Sequence, residues 1–253
     1  MRVLMTGAAG LIGTWLRRLM SDRIEFRCVD VKPGEGDWHR LDISSWEAIP
    51  RLQRLMRGMD GVFHLAIASR RAFPQEAEDA FHEAEMEVNA KGTYHVFEAA
   101  RRAEVPRVVY MSSLTVVLGH PRHLWVGLED PVCPQSLYAV TKYFGEVLAE
   151  LYWRRYGLSS ISFRLGAPVD AETYTPPPEG DRAYALRVTF QEIADAYWLA
   201  LTRREEVPFG VFYLLSENQD LRWDLEPTKQ RLGYRPRYRF TPQGIRALEM
   251  AET

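Results

Sequence analysis

The chain has 253 residues, 46% of them hydrophobic, enough to bury a substantial core as one domain with at most a small appended lobe. A formal net charge of −2 and a pI near 6.3 leave no electrostatic footprint for a nucleic-acid partner. Two cysteines offer neither a disulfide framework nor zinc-ligand spacing, so no metal is expected, and no apolar run reaches membrane-spanning length.

The first apolar run, 2–6, delivers the backbone into Gly7, Gly10 and Gly13, and 14–20 then carries helical periodicity. The predicted order is strand, glycine turn, helix. Glycines there let the backbone turn tightly and approach a pyrophosphate, whose charge is welcomed by the free amides of the helix start. Gly7, Ala9, Gly10, Leu11, Ile12 and Gly13 are the candidate contacts. A strand committed from residue 2 leaves no room for a signal peptide, so the cytoplasm is the expected location. The second apolar segment, 24–30, ends in Asp30, an acid placed to accept both ribose hydroxyls of an adenosine and to repel a 2′-phosphate. NAD is favoured over NADP, with Lys32 near enough to soften the preference.

A short strand at 38–43 sets Asp42 and Ile43 where an adenine edge can be read, and a helix at 46–59 leads to a strand at 61–66, ending in Leu65 and Ala66. A polar loop, 68–75, precedes a long helix within 76–103, and a strand at 107–111 runs into Ser112 and Ser113. The segment 119–135 has three prolines and no sustained period, so it reads as a loop. It leads to a helix with Ser136 as N-cap and Gly157 as stop, and a strand follows at 159–164. This alternation predicts an α/β fold, a doubly wound parallel sheet of the Rossmann kind, spanning 1–166. Ligands bind such sheets at the carboxyl ends of the strands, where Gly7, Asp30, Ala66, Ser113 and Arg164 fall. Beyond residue 166 come a proline-rich turn at 174–181, a helix at 189–202, a strand at 210–215 and a short helix closed by Gly233. These suggest a small substrate lobe, 167–253, packed on the sheet edge.

In the helix after Ser136, Tyr138 and Lys142 stand four apart and therefore share a face. An enclosed ammonium favours the phenolate and lowers the phenol's pKa. Moving that pKa from about 10 to near 7 takes roughly 4 kcal/mol, which calls for burial beside a second cation. Lys142 is one of four lysines in a chain that otherwise uses arginine, and a compact ammonium is not interchangeable with a guanidinium.

Together, Thr6-Gly7-Ala8-Ala9-Gly10-Leu11-Ile12-Gly13, Asp30, Ser112-Ser113 and the Tyr138/Lys142 pair resemble the short-chain dehydrogenase/reductase superfamily, in its extended branch of NAD-dependent epimerases and dehydratases. The resemblance spans nearly the whole chain and includes Asn89 and the stretch 163–166; the tail at 214–218 and 232–236 is most similar to the uronate dehydrogenase group, which oxidises free sugar acids. It implies an NAD-dependent oxidoreductase acting on a small sugar or sugar acid. Tyr138 would take the hydroxyl proton, Lys142 would hold the nicotinamide ribose and lower the Tyr138 pKa, Ser113 would bond the reacting oxygen, and Asn89 would link Lys142 to a water chain. Oxidised nicotinamide would be the second cation. The alternatives are an epimerase or dehydratase that uses NAD transiently, and a catalytically silent NAD-binding protein. The family's habit of pairing this helix and the Asn89 helix across a two-fold axis implies a homodimer, with Leu137, Phe144, Val147, Leu148 and Leu151 on the apolar face.

The chain departs from the uronate group at Leu114-Thr115, where that group has Asn-His. The apolar Leu114 points to a less polar substrate or another binding pose, and one extra residue after Ser113 leaves Ser112 and Thr115 as alternative hydroxyls. Candidate substrate contacts are Ser69, Leu114, Thr115 and Arg182, with Arg70, Arg71 and Arg187 as further cations for an anion. His64 reads as a packed core residue.

Overall fold

The computed structural model describes residues 1–249. The final four residues of the predicted lobe lie outside them. In the first half, β1 (Arg2–Thr6), β2 (Glu25–Asp30), β3 (Trp38–Arg40), β4 (Gly61–His64) and β5 (Val108–Ser113) alternate with α1 (Leu11–Leu19), α2 (Ala48–Met56), α3 (Glu78–Ala84) and α4 (Thr93–Arg102). After α5 (Leu137–Tyr156) come β6 (Ser160–Leu165), β7 (Ala167–Val169), β8 (Arg187–Thr189), α6 (Phe190–Thr202), β9 (Phe209–Leu214), α7 (Glu226–Leu232), β10 (Tyr238–Thr241) and β11 (Gly244–Ala247).

Seven strands form one sheet in the order β3-β2-β1-β4-β5-β6-β9, with every adjacent pair parallel. Central strands read as unbroken apolar runs because helices cover both faces. On one face Leu16 of α1 and Ile193 and Tyr197 of α6 pack with Val3, Phe63 and Phe163. On the other, Leu52 of α2, Val96 of α4 and Leu148 of α5 pack with Leu4, Val62 and Tyr110.

Helix ends follow local chemistry. Ser136 Oγ accepts from Ala139 N at 3.2 Å, and Gly157, with φ +68°, closes α5 in the left-handed conformation. Thr189 and Glu192 form a reciprocal capping box on α6. The long helix expected within 76–103 runs from Glu78 to Arg102, but its middle, Glu85–Gly92, widens into π-type turns.

Two features differ from expectation. The strand assigned to the lobe, β9, is the seventh strand of the main sheet, and α6 covers that sheet, so the segment 190–214 belongs to the main layers. The parallel pair β7–β8 and the hairpin β10–β11 lie outside the sheet. Strands of three or four residues are too short to register a period in sequence.

Candidate active site

The strand order reverses between β1 and β4, opening a crevice at their carboxyl ends. Gly7 leaves β1 with φ +71°, and a Cβ there would lie 2.6 Å from the Ala66 nitrogen; at Gly13 it would lie 2.7 Å from the Gly7 oxygen. Neither position has room for a side chain, so the turn closes directly onto the end of β4. Gly10 begins α1 with no side-chain cap, leaving its first amides free for an anion. Asp30 Oδ2 accepts from Ala9 N at 2.9 Å and Oδ1 from Lys32 N at 3.0 Å, so this acid also braces the glycine turn.

Beyond Asp30 lies a cleft of about 450 Å³ lined by Val31, Arg40, Leu41, Asp42 and Arg51. Asp42 is exposed and bonds the Ser44 amide and hydroxyl at 2.9 and 2.8 Å. Ile43 and Leu65 are buried, so their side chains belong to the core rather than to a binding surface, while Ala66 is half-buried against Gly7. A turn without side chains, an uncapped helix start and an acid closing β2 fit a dinucleotide.

The start of α5 brings Tyr138 and Lys142 beside the end of β5. Lys142 is 2% exposed; its Nζ donates to the Met111 carbonyl at 2.7 Å and lies 5.7 Å from the centre of the Tyr138 ring. Burial alone pulls its pKa from 10.5 to about 7. Tyr138 moves the opposite way from the sequence expectation. Burial raises its pKa, the Ser113 hydroxyl partly offsets this, and the Glu85 carboxyl raises it further. Lys142 contributes no lowering, because the same enclosure that was to strengthen its field discharges the amine and its Nζ is held by Met111. From protein groups alone, the phenol therefore sits above its ordinary range.

The three candidate hydroxyls are sorted by strand alternation. Ser112 Oγ donates to Glu146 Oε1 at 2.5 Å, and Glu146 is also held by Arg164 Nη2 at 2.9 Å in a buried ion pair. Ser113 is the hydroxyl coupled to Tyr138, and Thr115 braces it, donating from N at 3.2 Å and from Oγ1 at 2.9 Å. Asn89, in the π-type turns, accepts from Ala68 N at 2.8 Å and donates to Thr141 Oγ1 at 3.3 Å, tying its helix to α5. His64 is a core residue, bonded to Thr6 at 2.7 Å and Thr93 at 2.9 Å, and burial drives its pKa to about 3, so it is neutral.

On the substrate side, Leu114 is 3% exposed and packs in the main core cluster. The reading of Leu114 as a substrate contact is corrected accordingly. Arg70 is committed to the carbonyls of Phe73, Pro74 and Gln75, and Arg187 lies over the Tyr174 ring. Ser69, Arg71 and Arg182 are exposed on loops. Sequence reasoning passed over Glu85, buried beside this cluster, and Glu146, although the latter stands four residues after Lys142 on the same helical face.

Residues 3–186 match the NAD dependent epimerase/dehydratase family. The chain is 29% identical over 240 residues to a uronate dehydrogenase of Pseudomonas syringae pv. tomato, covering 93% of this chain and 82% of that one. It is 30% identical over 266 residues to an L-arabinose 1-dehydrogenase (NAD(P)(+)) of Haloferax volcanii, covering 93% and 96%. Among solved structures, a mutant of uronate dehydrogenase from Agrobacterium tumefaciens complexed with NAD matches with a TM-score of 0.78 at 25% identity, covering 94% of this chain and 85% of that one.

Proposed function

The chain belongs to the NAD dependent epimerase/dehydratase family, and on that premise we propose that it is an NAD-dependent oxidoreductase that oxidises a hydroxyl of a small sugar or sugar acid. The observation that carries the reading is the meeting of Ser113, Tyr138 and Lys142 at the end of β5, beside a glycine turn that admits no side chains. A silent dinucleotide-binding protein would need the turn but no phenol coupled to a serine hydroxyl.

In this reading Tyr138 accepts the proton of the reacting hydroxyl, and Ser113, braced by Thr115, donates to the same oxygen. Lys142 spends one donor on Met111 and keeps at least one N–H for a ribose. Asn89 ties its own helix to α5, which carries Tyr138 and Lys142. Gly7, Ala9, Gly10, Leu11, Ile12 and Gly13 would receive the pyrophosphate through backbone, and Asp30, with Asp42 nearby, the adenosine. Bound NAD supplies the two-electron acceptor and the positive charge that the phenol lacks among protein groups. Ser69, Thr115 and Arg182 would line the substrate side, with the strands outside the main sheet closing over it as a lobe.

Half-exposed Val140, Phe144, Val147 and Leu151 form an apolar stripe on α5 that supports a homodimer through this face. No described helix is long and apolar enough to cross a membrane, and both cysteines are free, which accords with a cytoplasmic setting.

The test is NADH absorbance on mixing the protein with NAD and a panel of aldoses, uronates and nucleotide-sugars. Net NADH is the expected outcome. Isomerised product without NADH would move the protein to the epimerases of its family, and NAD binding without turnover of any sugar would refute the catalytic reading.

A further inference from the structure

Asp30 carries the preference for NAD, yet neither of its oxygens is idle. Oδ2 receives the Ala9 amide and Oδ1 the Lys32 amide, so backbone dipoles already offset part of its charge. Cations stand directly beside it. Arg40 of β3 is in register with Asp30 of β2, and paired residues of adjacent parallel strands project to the same side of a sheet. Arg40 Nε donates to the Val31 carbonyl at 3.0 Å, and Arg51 Nη2, from α2, donates to the Arg40 carbonyl at 3.3 Å. Both arginines are exposed, and both line the cleft of about 450 Å³ beyond Asp30.

Most surface arginines are simply solvated or ion-paired. These two are tethered by backbone carbonyls, and neither meets a carboxylate among the described residues. The nearby acids are committed: Asp37 takes Arg27 and His39, and Asp42 turns Oδ1 to the Ser44 amide and hydroxyl. Each tether spends one N–H of a guanidinium that carries five. The Nη pair of Arg40, and Nε with Nη1 of Arg51, therefore remain as planar forks at an open cleft, the geometry that matches phosphate oxygens.

We propose that Arg40 and Arg51 form a subsite for the 2′-phosphate of NADP, so that the protein takes NADP as well as NAD despite the acid that closes β2. This inference rests on the reading above that the crevice binds a dinucleotide, whose adenosine end meets Asp30. Each Asp30 oxygen has a second lone pair for a ribose hydroxyl, so NAD stays the tighter ligand. With NADP, the bond from the 2′-hydroxyl is exchanged for two guanidinium contacts, which offset the repulsion between phosphate and carboxylate.

The test is calorimetric titration of the full chain with NAD, NADP, AMP and adenosine 2′,5′-bisphosphate, a probe that carries the extra phosphate without the nicotinamide half. Wild type should bind NADP within about thirtyfold of NAD, and adenosine 2′,5′-bisphosphate more tightly than AMP. In the double variant Arg40→Gln with Arg51→Gln, the NADP-to-NAD affinity ratio should fall about thirtyfold or more. Arg40→Lys keeps the charge but loses the fork, and should fall between Arg40→Gln and wild type. Rising salt should weaken NADP more than NAD, because only the phosphate contact joins exposed charges. NADP bound more than about thirtyfold weaker than NAD by wild type, or a double variant whose ratio does not move, overturns the proposal. If NAD binds and a sugar is oxidised while NADP is refused, the subsite fails and the oxidoreductase reading stands. If both dinucleotides bind with the expected dependence on Arg40 and Arg51 but no sugar is turned over, the oxidoreductase reading fails and the subsite stands.

Discussion

Replacing Lys142 with methionine should stabilise the cofactor-free protein near neutral pH while ending turnover. Burial lowers the pKa of Lys142 from 10.5 to about 7. A base whose pKa is lower in the folded than in the unfolded chain binds fewer protons in the native state between those two values. Native stability therefore rises with pH across that window, and the whole penalty is present below it. Linkage puts the penalty on the order of 4 kcal/mol at pH 7 and about 2 kcal/mol at pH 9. Methionine fills much of the same volume with nothing to desolvate, but the Met111 carbonyl loses its 2.7 Å donor. That loss costs about 1–3 kcal/mol, so the net gain at neutrality is roughly 1–3 kcal/mol. The lost bond is the same at every pH, so the advantage of Lys142→Met should shrink by about 2 kcal/mol between pH 7 and pH 9. Urea unfolding followed by tryptophan fluorescence on both proteins across this range measures it. An advantage that stays constant with pH would show that the amine is hydrated in the folded chain, and the enclosed cation would have to be removed from the site.

Tyr138→Phe should cut kcat by about a hundredfold to ten-thousandfold while NAD affinity by calorimetry stays within about twofold; retained turnover would eliminate the phenol as base. Asp30→Asn keeps an acceptor for the Ala9 amide but removes the charge, so the NAD:NADP affinity ratio should fall about tenfold, and an unchanged ratio would detach Asp30 from the ribose. Gly7→Ala places a Cβ 2.6 Å from Ala66 N at φ +71° and should cost at least about 1–3 kcal/mol in thermal unfolding and lose NAD binding, an outcome that unaltered calorimetric titrations would contradict. Val147→Glu with Leu151→Glu should yield monomers by light scattering; a persistent dimer would place the interface elsewhere.

Features announced by local chemistry were legible in the sequence. Ser136 and Gly157 mark both ends of α5, and the run from Gly7 to Gly13 with Asp30 marks the crevice at β1, because caps and turns depend on neighbours a few residues away. Other features depend on distant partners. The strand at 209–214 looks the same in sequence whether it builds a lobe or extends a sheet, and only its pairing with β6 decides. Leu114 reads as a substrate contact until the core closes around it. The order of the Tyr138 and Lys142 pKa values turns on their burial, which no spacing reveals. Glu83, Glu85 and Glu87 are equivalent on paper, and the fold buries only Glu85.

The wide turns between Glu85 and Gly92 also have a mechanical implication. A π-type turn holds in effect one residue more than an α-turn, and each residue of an α-helix advances the chain by about 100°. Deleting a single residue there would let the coil tighten into regular geometry while the turns upstream keep their facing, because the residue removed is the one the wide turns already accommodate. The same deletion in the regular turns of α4 would instead rotate everything on one side of it by about 100°, so the tolerance of this helix to a lost codon is confined to its wide middle.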